Sequence, residues 1–198
     1  MRFDLTDTAF CELRQTWLPT PEADALQANL LQQLPWEARA IRIFGREVMQ
    51  PRLVTWIGDS DAIYTYSGTR HEPRPWPPEL AALRARISSE IGRPLNSVLC
   101  NLYRNGMDSM GMHSDSEPEL GPEPLIASLS LGASRKFQLR AQKSERTSRL
   151  DLMLDHGSLL IMGGDLQHRY RHGVPKQPTI QAPRINLTFR WVSPQRPG

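Results

Sequence analysis

Apolar positions recur along this chain with two periods. In the first third, Leu26, Leu30 and Leu34 fall four residues apart behind Thr20, Pro21 and Glu22. These read as a helix N-cap, a first-turn proline and an apolar stripe, so the pattern predicts a helix. A second helix is predicted after Pro77 and Pro78, where Leu80, Leu83, Ile87 and Ile91 recur at helical spacing until Gly92 and Pro94 stop it. Between them, 40–44 and 52–57 are strand-like and joined by a polar connection around Gly45 and Arg46, and 64–68 is aromatic and turn-prone. From Pro94 onward short strands dominate, at 96–103, 125–131, 136–140, 150–154, 158–162, 168–172 and 184–190. Gly, Pro, Ser and charged residues separate them, as in a β-rich barrel or jelly roll with supporting helices. No internal repeat or compositional break divides the chain, so one domain over 1–198 is expected.

Composition agrees with a single core. The 198 residues are 39% hydrophobic and include five Trp, four Tyr and five Phe, enough to fold without a structural metal or disulfides. Cys11 and Cys100 lie far apart, which fits a reducing compartment better than a disulfide framework. Acidic residues interrupt the first twenty positions, and no apolar run reaches membrane-spanning length. An intracellular protein, cytoplasmic if prokaryotic, with no membrane partner is therefore expected. The net charge of +3 says little, but its distribution says more. Arg135, Lys136, Arg140, Lys143, Arg146 and Arg149 oppose only Glu145 within 134–149, whereas 108–123 has five carboxylates and no Lys or Arg. The first stretch is either a solvated basic hairpin or a surface that faces phosphate.

The candidate chemistry begins with His113-Ser114-Asp115, whose first and third side chains project the same way from an extended strand end. With a later histidine they would make the two-imidazole, one-carboxylate set that suits nonhaem iron and leaves three coordination positions open. His168 and His172 share a side if their segment is extended, so spacing does not choose between them. Near the C-terminus, Arg184, Asn186, Thr188 and Arg190 alternate with Ile185, Leu187 and Phe189. Either the polar face lies in water, as on an ordinary amphipathic edge strand, or it is buried, and its guanidiniums then require carboxylates. A dicarboxylic keto acid would meet such a guanidinium bidentately.

Assembled, these residues resemble the AlkB family of iron(II) and 2-oxoglutarate-dependent dioxygenases, particularly its DNA-repair branch. The resemblance covers roughly 44–190: Tyr64-Thr65-Tyr66-Ser67-Gly68, Asn101-Leu102-Tyr103, His113-Ser114-Asp115-Ser116-Glu117, 124–132, His156-Gly157-Ser158-Leu159-Leu160, Tyr170-Arg171-His172 and 184–190. It implies a mainly β fold with supporting helices, a double-stranded β-helix (jelly roll) with its catalytic core over 94–190 and a nucleotide-recognition lid over 39–75. It implies His113, Asp115 and His172 as ligands of Fe(II), with Asn101, Tyr103, Arg184, Asn186 and Arg190 around 2-oxoglutarate. Arg190 is matched to the distal carboxylate, and Arg184 to an active-site position beside the cosubstrate and the ligating aspartate. Tyr64, Tyr66, Ser67 and Glu117 are matched to base recognition. Phe44, after Ile43 and before Gly45, resembles the apolar finger of double-strand-acting members, with Arg52 downstream of it. The implied activity is oxidative demethylation of N1-methyladenine and N3-methylcytosine in DNA, with molecular oxygen as cosubstrate and the protein acting as a monomer. RNA demethylation and a non-catalytic nucleic-acid-binding module are the alternatives.

Overall fold

A computed structural model of the chain describes residues 1–43, 46–66 and 69–194, with side chains for all of these except 41–43, 46–47, 64–66 and 69–71. The two predicted helices are present as α1 (Thr20–Gln33) and α2 (Pro78–Ile91). In α1 the N-cap is Pro19 and not Thr20, and no side-chain cap bond forms. In α2 the glycine stop behaves as expected, with Gly92 in the left-handed region at φ 64°.

The remaining elements are antiparallel strands. In chain order they are β1 (Arg2–Asp4), β2 (Phe10–Arg14), β3 (Glu37–Ile43), β4 (Arg46–Gly58), β5 (Tyr64–Tyr66), β6 (Thr69–His71), β7 (Ser97–Tyr103), β8 (Met110–His113), β9 (Ile126–Gly132), β10 (Arg135–Ala141), β11 (Arg149–Leu154), β12 (Leu159–Gly163), β13 (Tyr170–Val174) and β14 (Arg184–Arg190). A single helical turn, α3 (Leu166–Arg169), precedes β13. An eight-stranded sheet has the order β1-β2-β12-β9-β14-β7-β4-β3, a four-stranded sheet the order β11-β10-β13-β8, and β5 pairs with β6.

Both faces of the large sheet are covered. On one, Leu26 and Leu30 of α1 and Leu83 and Ile87 of α2 pack with Val98, Leu129, Ile185, Leu187 and Phe189. On the other, Leu13, Ile126, Leu160 and Met162 share a core with Phe137, Leu139, Leu152 and Tyr170 of the small sheet. Each such aliphatic side chain contributes about 1.5–3 kcal/mol on burial, offset by the entropy of ordering the chain. The arrangement overturns the edge-strand reading of β14, because it lies between β7 and β9 and every one of its residues is buried. Its polar alternate residues therefore point into the space between the sheets.

Candidate active site

Strand pairing brings the proposed ligands together. His113 ends β8 and lies opposite His172 on β13 in the small sheet, and their ring centroids are 4.3 Å apart. Asp115 lies two residues past the strand, and one ligand atom from each of the three side chains falls within 4.8 Å of the others. His168 drops out for a structural reason: it sits in α3, not on an extended strand, and its Nε2 lies 2.6 Å from the Pro122 carbonyl. The helical turn breaks the two-residue alternation that left the choice open.

The surroundings prepare the three side chains for a cation. His113 Nδ1 lies 2.9 Å from the Gly111 carbonyl, which favours the proton on Nδ1 and leaves Nε2 as a free electron pair, 3.6 Å from Asp115 Oδ1. His172 is buried, and its Nδ1 has no hydrogen-bond partner. Burial pushes the His172 imidazole down to about 3, helped by His113 and Arg190 and opposed by Asp115. Burial alone would raise the Asp115 carboxyl, but the Arg190 guanidinium holds it well below the usual carboxylate range. Two imidazoles and one ionised carboxylate, with an orphaned buried nitrogen among them, fit a divalent metal of the ferrous type.

Residues of β14 and β7 supply other positions of the resemblance. Arg190 donates to Asp115 Oδ2 from Nη2 at 2.6 Å and from Nε at 3.1 Å. The place beside the ligating aspartate, expected of Arg184, is therefore held by Arg190. Six residues of extended strand, roughly 20 Å, separate the backbones of Arg184 and Arg190. Arg184 pairs across the sheet with Tyr103, and Asn186 with Asn101. The Arg184 guanidinium is 1% exposed, donates to Ser130 Oγ at 2.9 Å and lies 5.2 Å from the Tyr103 ring, while its Nε and Nη1 are buried without partners. Burial pulls its pKa down to about 10. Leaving a buried guanidinium two donors short is costly unless an anion completes it.

Asn101 accepts from Arg52 Nε at 2.7 Å, so the buried Arg52 meets the candidate cosubstrate residues and not open solvent. Asn186 donates to Ser128 Oγ at 2.7 Å and to the Leu129 carbonyl. Glu117 follows the ligand loop, and its Oε2 is buried without a partner. Tyr64 and Tyr66 lie on β5, with side chains outside the described residues, and Ser67 and Phe44 lie outside them altogether.

The basic stretch is a surface only in part, because Arg135 turns inward. Arg135 is 1% exposed and bonds the carbonyls of Asn105, Asp108 and Pro175, while Arg140 and Arg149 share Asp151 and Arg146 reaches the Asp4 carbonyl. Lys143, Arg146 and Arg149 remain exposed. Sequence reasoning missed Ser128 and Ser130, although their alternation with Ala127, Leu129 and Leu131 on β9 mirrors that of β14. It also missed Gln167, for which the local sequence offers no signal.

The 2OG-Fe(II) oxygenase superfamily model matches residues 10–190. Alpha-ketoglutarate-dependent dioxygenase alkB homolog 3 of Homo sapiens is 44% identical over 185 residues, covering 89% of this chain and 64% of that protein. The chain thus spans a little under two thirds of the length of this relative. DNA oxidative demethylase ALKBH2 of Mus musculus is 37% identical over 184 residues, covering 88% of this chain and 77% of that protein. The solved structure of OsALKBH1 superposes with a TM-score of 0.63 at 17% identity, covering 91% of this chain and 97% of that one, a likeness of fold alone. With a family model matched over most of its length and relatives at these identities, the chain belongs to the AlkB family within the 2OG-Fe(II) oxygenase superfamily.

Proposed function

We propose that this protein is an iron(II)- and 2-oxoglutarate-dependent dioxygenase that removes alkyl groups from DNA bases such as N1-methyladenine and N3-methylcytosine. The observation that carries the reading is the joint occurrence of the His113, Asp115 and His172 cluster and a buried arginine, Arg184, with two unpartnered donors. The names of the relatives, an alpha-ketoglutarate-dependent dioxygenase and a DNA oxidative demethylase, point the same way. We assign the two sheets to a distorted double-stranded β-helix with its core over 94–190, and 39–75 to a lid that faces the nucleic acid.

When bound, ferrous iron and 2-oxoglutarate couple decarboxylation to succinate with insertion of one oxygen atom from O2 into the N-methyl group, which then leaves as formaldehyde. The chain's own residues position and desolvate. His113, Asp115 and His172 hold the metal. Arg190 keeps Asp115 ionised and binds Oδ2, so Oδ1, 3.6 Å from His113 Nε2, is the oxygen that would serve a metal. Arg184 and the Tyr103 hydroxyl take the distal carboxylate, with Asn101 and Asn186 along the cosubstrate. Glu117 supplies a carboxylate that favours a cationic alkylated ring over its neutral form. Tyr64, Tyr66 and Ser67 line the base side, and Phe44 fills the gap left by the extruded base.

The test is a mass-spectrometric screen of methylated oligonucleotides as single-stranded DNA, duplex DNA and RNA, with iron or 2-oxoglutarate omitted as controls. The expected result is demethylation of DNA that stops with either omission. Faster turnover of the matched RNA would move the substrate assignment to RNA, and product formed without 2-oxoglutarate would sink the mechanism.

A further inference from the structure

Asp115 differs from the two histidines in having no strand to hold it. Its backbone N–H instead donates to the side-chain Oε1 of Gln167 at 3.0 Å. Gln167 belongs to α3, is fully buried, and lies five residues before His172. Its own amide nitrogen has only a weak partner, Met162 Sδ at 4.0 Å. A buried amide with one poor bond is an expensive way to fill space, since an apolar side chain of the same length would pack there without the desolvation cost. The good bond it makes goes to a ligand loop.

We propose that Gln167 is a positioning residue for the metal site, anchoring the Asp115 loop to the segment that leads into His172. Asp115 is then fixed at two points, its backbone by Gln167 and its Oδ2 by Arg190, so that Oδ1 has one direction left to face. The location of α3 is itself constrained. Gly164 in the preceding turn has φ 65°, and a Cβ there would meet the Thr8 carbonyl oxygen at 1.9 Å. Asp165 accepts from Thr8 Oγ1 at 2.8 Å, tying the same turn to the N-terminal strands. Groups that orient a metal ligand without touching the metal typically change metal affinity by about 10- to 100-fold when removed.

The inference rests on His113, Asp115 and His172 binding a divalent cation, and the experiment separates the two. Metal-free wild type, Gln167→Met and Gln167→Glu are titrated with Mn(II), free ion being read by electron paramagnetic resonance. The apparent affinity for 2-oxoglutarate is measured at saturating metal. Gln167→Met is expected to weaken Mn(II) binding about 10-fold or more, with 2-oxoglutarate affinity at saturating metal within about twofold of wild type. Gln167→Glu, which keeps an acceptor oxygen, is expected to recover most of the loss. Unchanged Mn(II) binding in Gln167→Met overturns the proposal, and so does an equal loss in both variants, which would make the side chain's packing the cause. Absence of Mn(II) binding in wild type would defeat the metal-site reading itself. Should Gln167→Met not fold, hydrogen exchange at the Asp115 amide of metal-free wild type decides: protection supports the anchor, and exchange at the rate of a free loop rejects it.

Discussion

At the scale of single residues, burial and partner decide what a side chain does. Arg184 and Arg190 are chemically identical and sit on one face of one strand, yet one lacks partners for two donors and the other is bound to a metal-site carboxylate. Arg184→Met is therefore expected to raise the 2-oxoglutarate concentration needed for half-maximal turnover, with Mn(II) affinity close to wild type. Arg190→Met is expected to weaken metal binding first, since Asp115 loses the charge that offsets its burial. Parallel metal and cosubstrate titrations of the two variants check this, and identical profiles would reject the division of roles. His172 sets a pH dependence whose sign follows from its depressed pKa. Between its ordinary value of 6.5 and about 3 the unfolded chain binds a proton that the folded chain does not. Folded stability is thus fully present above 6.5 and falls as pH drops through that window, by at most about 1.4 kcal/mol per pH unit from this group. Urea unfolding of the metal-free protein between pH 7 and 4 should show a shallower slope in His172→Asn than in wild type.

At the scale of elements, the alternation of β14 and β9 is informative because both strands are central. Sequence periodicity found β14 to the residue and located β7, β9, β10, β11 and β12 within one residue at each end. It missed β1, β2, β5, β6 and β8, which are short, weakly patterned strands of three to five residues. Arg135, at the start of β10, shows the converse failure: the sequence pattern puts it on a solvated or phosphate-facing basic hairpin with Lys136, Arg140, Lys143, Arg146 and Arg149, but it faces inward. There it ties the loop after β7 to the loop after β13 through the Asn105, Asp108 and Pro175 carbonyls. Arg135→Met is expected to destabilise the fold, because each carbonyl left without a donor costs about 1–3 kcal/mol, partly offset by burying an apolar group in place of a charge. A lowered denaturant midpoint with unchanged m-value is the expected signature. An unchanged midpoint would place Arg135 at the surface.

At the scale of the whole molecule, helices cover one face of the large sheet while the small sheet closes over the other, so the ligand cluster and its polar neighbours occupy the interlayer space. None of the described helices is long and apolar enough to cross a membrane. The β3–β4 hairpin extends beside β7; Phe44, between the two strands in sequence, lies outside the described residues. If its ring replaces stacking lost on base extrusion, Phe44→Ala should impair turnover of a paired lesion far more than of the same lesion in a single strand. Stacking of about 1–3 kcal/mol corresponds to a selective loss of roughly 5- to 150-fold. Kinetics on one oligonucleotide with and without its complement provide the measurement, and equal fractional losses would leave Phe44 as packing.

The sequence by itself determined the two supporting helices, most of the strands, the family and the identity of the metal cluster. Local periodicity records which side chains share a face, and the His-x-Asp motif keeps its ligands two residues apart in any fold that preserves the strand end. Tertiary structure decided what lies opposite each face. Only the burial of β14 between β7 and β9 turned its polar residues inward. Only the pairing of β8 with β13 and the helical turn at α3 selected His172 over His168 on structural grounds. Only the packing of Asp115 against Arg190 and Gln167 revealed which arginine guards the carboxylate and which amide anchors its backbone. Those contacts join residues 52 and 75 positions apart, and no local pattern encodes a partner at that distance.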